Sequence, residues 1–436
     1  MWIPIADSEI SRRCWNAIEG IERGLVQVMF SGTSVAPAEC DPRLASGHAG
    51  LALFFAYLDE ARPSAESADR ALAALDRSID ALEETRLTPS LYSGFSGIGW
   101  TVEHLNQESF EEDDDLSAEI EEALRALISS PDSRPQYELI NGLSGFGVYL
   151  IERLPRPGAV ELLGRILDRL LAMEEESETG ITWYTPPEWL SLDQRKWRPN
   201  GHYSLGVSHG VPGVLGFLAA AQRAGFEDRR IPHLAAGIVR WLLDQKLPEK
   251  VRSVFPSSFV PGEVPEPTRT AWCYGDIGVA AVLLSAAREF GRPDWEEEAL
   301  GIARLAARRP LEAVEVMDAG LCHGSAGLAQ LFNRFYQATG DREMKEAALT
   351  WYRRTLDARR PGEGIAGFLS YVSNGSGGPG SWKAEPGFLI GAAGVGLALL
   401  AAVTDIEPAW DRAMLISIPP RNGGEGGINS TSSRSA

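Results

Sequence analysis

Two cysteines and one histidine stand at matching places in two copies of a short glycine motif. Cys273 lies two residues before the first glycine of "GDIG", Cys322 lies two residues before that of "GSAG", and His323 follows Cys322 directly. Thiolate and imidazole suit Zn²⁺, and three protein ligands leave the fourth position of a tetrahedral site open, as in catalytic zinc sites. The pattern predicts one zinc per chain. Two core cysteines, or a disulfide between them, are the alternative interpretations.

The motif, G-x-x-G followed by an apolar helical run, occurs seven times. Its first glycines are Gly47, Gly94, Gly142, Gly210, Gly275, Gly324 and Gly391. Amphipathic helical segments precede the copies, for example 67–84, 115–128, 159–175 and 341–356. Each unit is therefore an outer helix followed by a buried inner helix, which predicts an all-α fold.

The seventh copy is as apolar as the others and shows no polar capping face, which favours a closed ring over an open solenoid. We expect an α/α toroid of about fourteen helices, built from seven helical hairpins over residues 1–418, with a flexible tail at 419–436. The glycines are expected to let backbones approach closely and to leave helix N–H groups free.

Residues just before the first glycines should share one end of the ring. In chain order they are Ser46, Ser93, Asn141, His209, Tyr274, His323 and Ile390. His209, Tyr274 and His323 belong to consecutive copies, beside Cys273 and Cys322. The alignment of copies therefore predicts that the reactive side chains cluster at one mouth of the toroid.

Charge and hydropathy exclude several classes of protein. The 436 residues include 60 acidic and 41 basic ones, a net charge of −19. Nucleic-acid binding needs clustered Lys and Arg, so this balance argues against it. No apolar window reaches the length of a membrane span, and the N-terminus lacks a signal-peptide pattern. We expect a cytoplasmic protein without a membrane span.

The motifs "SHGVPG", "AWCYGDIG" and "LCHGSAG", in this order on a seven-fold G-x-x-G array, resemble those of the lanthionine synthetase C family. The resemblance runs from about Gly47 to Leu400. It implies an α/α toroid with one zinc bound by Cys273, Cys322 and His323. It also implies a cyclase that joins a peptide cysteine to a dehydroalanine or dehydrobutyrine of the same precursor peptide, forming a (methyl)lanthionine thioether ring.

Four further residues are candidates for catalysis: His209 and Arg269 match the family pattern, Tyr274 adjoins Cys273, and Glu138 departs from the pattern. His209 is expected to protonate the enolate left by thiol addition. Tyr274 is expected to donate a proton or orient the enolate, and Arg269 to stabilise its oxygen. Glu138 stands where the family usually has an aspartate that bonds the histidine. The purely structural alternatives are a helix cap for His209, packing for Tyr274, a solvated surface arginine and a displaced carboxylate.

The implied partner is a dehydrated precursor peptide, with a separate dehydratase and a transporter in a synthetase complex at a membrane. One alternative is a LanC-like protein that adds glutathione or another thiol to dehydroamino acids. A second is a catalytically silent peptide-binding scaffold, for which Glu138 is the hint. Loops 180–206 and 248–270 are expected to build a peptide-binding mouth, and 373–387 to be flexible.

Overall fold

The computed structural model describes residues 1–30, 41–106, 116–248, 252–373 and 380–420. Fourteen long helices form two concentric rings within these ranges. The inner helices are α2 (His48–Ala61), α4 (Phe95–Leu105), α6 (Leu143–Glu152), α9 (Val211–Arg223), α11 (Asp276–Glu289), α13 (Ser325–Thr339) and α15 (Ala392–Val403). The outer helices are α1 (Ser8–Phe30), α3 (Ala65–Glu84), α5 (Leu116–Ser129), α7 (Pro157–Met173), α10 (Ile231–Asp244), α12 (Pro293–Ala307) and α14 (Arg342–Asp357).

The inner helices form a closed ring. Each packs against the next in chain order, and α15 packs against both α2 and α1. The inner helices are apolar nearly all round, and residues 392–402 of α15 are all buried. The outer helices have one wet face and ordinary caps, such as the Ser64 hydroxyl that accepts from the Ser67 N–H at the start of α3. The apolar helices and the amphipathic helices of the sequence pattern thus form the inner and the outer ring, respectively.

The glycine motif fits each inner helix onto the loop before it. The first glycine caps the helix, and the second lies against the carbonyl oxygen of the residue six positions earlier. At Gly97, for example, a Cβ atom would overlap the oxygen of Leu91. The prediction that the helix N–H groups stay free is wrong for several copies. The first helical N–H groups donate to loop carbonyls, as that of His48 does to the carbonyl of Asp41 at 2.8 Å. The motif therefore serves packing and helix capping.

Backbone hydrogen bonds join the loops around the end of the ring where the inner helices begin, which we call the mouth. The residues concerned lie two positions before the first glycines. Five N–H groups each donate to the carbonyl of the equivalent residue in the next copy. The donors are Ser208, Cys273, Cys322, Leu389 and Ala45, the last acceptor is Tyr92, and the N···O distances are 3.4, 3.3, 2.8, 2.9 and 2.9 Å in that order. The bond from Leu389 to Ala45 connects the seventh copy to the first. The repeats are therefore in register around the mouth.

The C-terminal segment fills the centre of the ring. A 3-10 helix, Ala409–Met414, contacts side chains from several inner units. The Trp272 indole N–H donates to the carbonyl of Met414 at 2.8 Å, and the Tyr92 hydroxyl donates to that of Ala413 at 2.9 Å. The buried Asp411 carboxylate accepts from Arg334 of α13 at 2.7 and 2.8 Å. This segment thus packs directly beneath the loop that carries Cys273.

Three short strand pairs and one short α-helix occupy the longer loops. The pairs are β1 (Glu175–Ser177) with β2 (Gly180–Thr182), β3 (Tyr203–Ser204) with β4 (Ser258–Phe259), and β5 (Ser370–Val372) with β6 (Ser381–Lys383). Helix α8 spans Leu192–Trp197. The predicted flexibility of 373–387 is wrong for β6, while 374–379 lie outside the described residues, as does the predicted tail from 421 onward. No helix in the described ranges is long and apolar enough to cross a membrane.

Candidate metal centre

Cys273, Cys322 and His323 meet at the mouth. Their ligand atoms, two sulfurs and one imidazole nitrogen, all lie within 4.8 Å of one another. Cys273 is buried, while Cys322 and His323 are half-buried. Zn–S bonds of about 2.3 Å place two sulfurs about 3.8 Å apart around a tetrahedral zinc, so these side chains suit such an ion. The bond from the Cys273 N–H to the Cys322 carbonyl fixes the two loops that present them.

The electrostatics of the cysteine pair favour a bound cation. A hydrogen bond from the Cys322 thiol lowers the pKa of Cys273 well below its ordinary range; burial opposes this, and His323 and the Arg269 guanidinium add to it. The bond to the Cys273 sulfur and burial raise the pKa of Cys322. One proton is therefore shared between two sulfurs, and the pair carries negative charge in a largely buried site. A soft cation neutralises that charge and uses both sulfurs as ligands.

His209 and Glu138 form a second constellation at the mouth. Glu138 Oε2 lies 2.6 Å from His209 Nδ1, and the Glu138 side chain is only 3% exposed, against 44% for that of His209. The carboxylate also accepts from the backbone N–H groups of Ile140 at 3.1 Å and Asn141 at 2.5 Å. Burial lowers the pKa of His209, but the adjacent Glu138 carboxylate outweighs it, so that the pKa is raised. His209 thus binds a proton more tightly than an isolated imidazole does.

Tyr274 connects the two constellations. Its ring stacks on that of His209 with centroids 6.4 Å apart, and its backbone neighbour is Cys273. The Ser204 hydroxyl donates to the Tyr274 oxygen at 3.4 Å. Burial raises the pKa of Tyr274, so the phenol keeps its proton at neutral pH. Tyr274 is therefore a neutral hydrogen-bond donor placed between the imidazole and the cysteine pair.

A family model described as "Lanthionine synthetase C-like protein" matches residues 39–415. The chain belongs to this family. Nisin biosynthesis protein NisC from Lactococcus lactis subsp. lactis is 26% identical over 265 residues, 57% of this chain and 62% of that protein, so the match spans less than two thirds of that relative. Glutathione S-transferase LANCL1 from Danio rerio is 25% identical over 323 residues, 69% of this chain and 72% of that protein.

The solved structure of nisin cyclase has the same fold. It superposes on this lanthionine synthetase C-like protein with a TM-score of 0.71 at 22% identity, covering 94% of this chain and 98% of that one. This match, together with the closed inner ring, confirms the predicted α/α toroid.

Arg269 lies inside the site of this lanthionine synthetase C-like protein. Its Nη2 is 3.6 Å from the Cys273 sulfur, and the residue is half-buried, which differs from the solvated surface arginine of the alternative interpretation. In the structure, all seven residues predicted for the site lie at the mouth. They are Glu138, His209, Arg269, Cys273, Tyr274, Cys322 and His323.

The sequence did not indicate two supporting residues, Asp276 and Arg309. Asp276, the first residue of α11, is 1% exposed and accepts from the backbone N–H groups of Val254 at 2.9 Å and Phe255 at 3.0 Å. It also pairs with Arg309. Asp276 thereby fixes the loop that carries β4, whose strand pairing brings Ser204 toward Tyr274. A charged residue inside the glycine motif, present here alone among the seven copies, was the available signal.

Proposed function

We propose that this protein is a zinc-dependent lanthipeptide cyclase. It adds peptide cysteine thiols to dehydroalanine or dehydrobutyrine and so forms (methyl)lanthionine rings in a ribosomal precursor peptide. The observation that carries the proposal is the placement of two thiols and an imidazole within 4.8 Å, at the mouth that also holds the His209–Glu138 pair. We place the reaction in the cytoplasm, after a separate dehydratase, with a transporter in the same synthetase complex.

Cys273, Cys322 and His323 would hold the zinc, and the donor set of two thiolates and one neutral imidazole leaves one position open. A bound zinc supplies Lewis acidity that lowers the pKa of an incoming thiol from about 8.5, so that the sulfur is a nucleophile at neutral pH. The Arg269 guanidinium, 3.6 Å from the Cys273 sulfur, would help to stabilise negative charge on the sulfurs of the site, against the opposing effect of burial. The Cys273–Cys322 backbone bond keeps the ligand loops aligned during the reaction.

Addition forms a bond from sulfur to the β-carbon and moves the alkene electron pair onto the α-carbon and carbonyl, as an enolate. His209 then gives its Nε2 proton to the α-carbon, while Glu138 holds Nδ1 and stabilises the imidazolium beforehand. The proton released by the thiol reaches His209 through water, so the cycle is balanced. Tyr274 and Arg269 would donate hydrogen bonds to the enolate oxygen.

The loops around the mouth suit a peptide substrate. Loops 180–206 and 248–270 join through the pairing of β3 with β4, and the aromatic residues Tyr184, Tyr203 and Phe259 cluster there with ring centroids 5.4–6.0 Å apart. Large aromatic surfaces beside polar backbone are typical of peptide-binding sites. The silent scaffold loses its support, because the Glu138 carboxylate reaches His209 despite the additional methylene.

The relative named Glutathione S-transferase LANCL1 favours a second candidate, addition of glutathione to dehydroamino acids in peptides. The same ligands and the same acid would serve this reaction, since only the source of the thiol differs. A substrate without its own cysteine separates the two candidates.

The test uses zinc-loaded full-length protein and two synthetic peptides. The first contains one cysteine and one dehydroalanine; the cyclase proposal expects loss of thiol reactivity toward a maleimide without a change in mass, faster than in buffer alone. The second lacks cysteine and is offered with glutathione; a mass gain of one glutathione supports the second candidate. His323→Ala should abolish either activity. Cys14→Ala, which replaces a buried cysteine of α1, should retain it. Wild-type rates equal to buffer for both peptides would contradict thiol addition.

A further inference from the structure

A cavity of about 250 Å³ lies at the end of the ring opposite the mouth. Its wall comes from the final turns of α6 and α9, from α11 and from the C-terminal segment. The polar lining residues are Glu152, Arg223, Ser285, Arg412 and Ser417. None of these belongs to the metal centre, and the reaction proposed above uses none of them.

Arg223, the last residue of α9, is a half-buried cation that forms no direct ion pair with a carboxylate of the described residues. Its Nη1 donates to the Ser285 hydroxyl at 3.1 Å and to the Ser417 carbonyl at 3.2 Å. Among the described residues, no acidic oxygen lies within the 4.0 Å of an ion pair with it. Arg412, across the cavity, differs in this respect, because it pairs with Glu152 at 3.1 Å. Glu152, the carboxylate that lines the cavity, is thus already paired, and Glu289 acts on Arg223 only through space, without a direct ion pair.

The surroundings disfavour an isolated charge at this place. Burial is the main cause that lowers the pKa of Arg223; Glu289 and Asp411 oppose it at a distance, while Arg334 and Arg412 add to the lowering. A guanidinium nevertheless stays protonated in proteins, so the destabilisation is relieved by an anion and not by loss of the proton. The C-terminal end of α9 supplies only a partial negative charge.

We propose that this cavity binds a small oxyanion, a phosphate or a carboxylate group, through Arg223. The planar guanidinium offers paired donors for such a group. Ser285 accepts from Arg223, which leaves its hydroxyl hydrogen to donate to the anion. The volume admits an anion or a small molecule that carries one. Because the C-terminal segment forms one wall, the ligand also stabilises the segment that packs beneath Trp272.

The test is a thermal-shift titration with sodium phosphate and with sodium acetate, at ionic strength held constant with sodium chloride. The wild type should show a rise in Tm with phosphate, with acetate or with both, and the more effective anion identifies the group bound. Arg223→Gln should lose the rise, with an affinity about tenfold or more weaker by calorimetry. Arg165→Gln, which removes an exposed arginine of α7, should behave as the wild type.

A second variant keeps the proposal testable where Arg223→Gln fails to fold. Ala220→Leu projects a larger side chain into the cavity from α9 and leaves every charge in place. It should lose the same anion-dependent rise in Tm. No rise with either anion in the wild type, or an equal rise in the wild type and both cavity variants, would overturn the proposal.

Discussion

The Glu138 carboxylate lies 2.6 Å from Nδ1 of His209 and is held by the backbone N–H groups of Ile140 and Asn141. The acid is almost fully buried and the imidazole faces the mouth. The pair therefore has a fixed direction: Glu138 stabilises the charged imidazolium, and Nε2 presents the proton.

This relationship predicts the pH dependence of thiol addition. Because Glu138 raises the pKa of His209, the protonated acid persists above the ordinary value of 6.5, and activity declines only as pH rises through the raised pKa. Glu138→Gln removes the negative charge, so the alkaline decline should move about one unit or more to lower pH. Initial rates between pH 5.5 and 9 measure the shift. His209→Ala, with zinc retained, should lower the rate roughly 10²-fold or more and remove this limb. Superimposable profiles for wild type and Glu138→Gln would contradict the pairing.

Arg269 should contribute to rate and not to metal binding. Its guanidinium lies 3.6 Å from the Cys273 sulfur, beside the place where negative charge would develop in the proposed reaction. Arg269→Met is expected to lower kcat/KM roughly 10²-fold, the usual loss for one electrostatic donor, with zinc content unchanged. Arg269→Lys should recover part of the loss, because it keeps the charge without the planar fork. Wild-type kinetics for Arg269→Met would show that the arginine is structural.

A buried histidine far from the mouth predicts a separate effect of pH on stability. Arg412 Nη2 donates to Nδ1 of His104 at 3.1 Å, so Nε2 carries the proton and donates to the Tyr57 oxygen at 3.0 Å. Burial and the Arg412 charge lower the pKa of His104 from 6.5 to about 3. The unfolded chain therefore binds the proton more tightly, and stability falls as pH drops below about 6.5.

The measurement is urea unfolding at pH 7.5 and pH 5.0. His104 should cost the wild type about 2 kcal/mol between these values, a loss that His104→Gln does not show. Other acidic groups affect both proteins alike, so the difference isolates this residue. Equal losses in the two proteins would rule out a neutral His104 in the fold.

The glycine motif predicts a pair of opposite stability effects. Gly97→Ala places a Cβ against the Leu91 carbonyl and should lower the free energy of unfolding by about 2–4 kcal/mol. Gly164 in α7 has no heavy atom within 4 Å of its Cβ position, so Gly164→Ala should be neutral or stabilise by up to about 1 kcal/mol. Chemical denaturation of both variants checks this. If the two substitutions changed the free energy of unfolding by similar amounts, the motif would have no special role in packing.

The sequence predicted the local elements well because helical periodicity is a local property. The segment predicted at 67–84 is helix Ala65–Glu84, and that at 341–356 is helix Arg342–Asp357. Alignment of the copies also predicted which residues meet at the mouth, since equivalent positions of a ring repeat lie at the same height. The series of backbone hydrogen bonds around the mouth, which begins at Ser208 and ends at Tyr92, is the physical basis of that alignment.

Non-local contacts were beyond the sequence. Trp410 and Asp411 lie in a segment without periodicity, and nothing local indicates that it passes through the centre of the ring. Whether the Glu138 carboxylate contacts His209 depends on where the loop backbone places the Cα atom of Glu138. The additional methylene relative to aspartate does not reveal that position. That Arg223 bonds to Ser285 and Ser417, and not to a carboxylate of the described residues, likewise follows only from the distances in the folded chain.

The most direct test of the proposed function is the zinc content per chain of the purified protein and of Cys322→Ala, with Cys14→Ala as the matched control. We expect about one zinc in the wild type and in Cys14→Ala, and far less in Cys322→Ala. Circular dichroism confirms that all three proteins are folded. A folded, chelator-free wild type without zinc, or a Cys322→Ala variant that keeps a full zinc, would contradict the metal centre and the chemistry built on it.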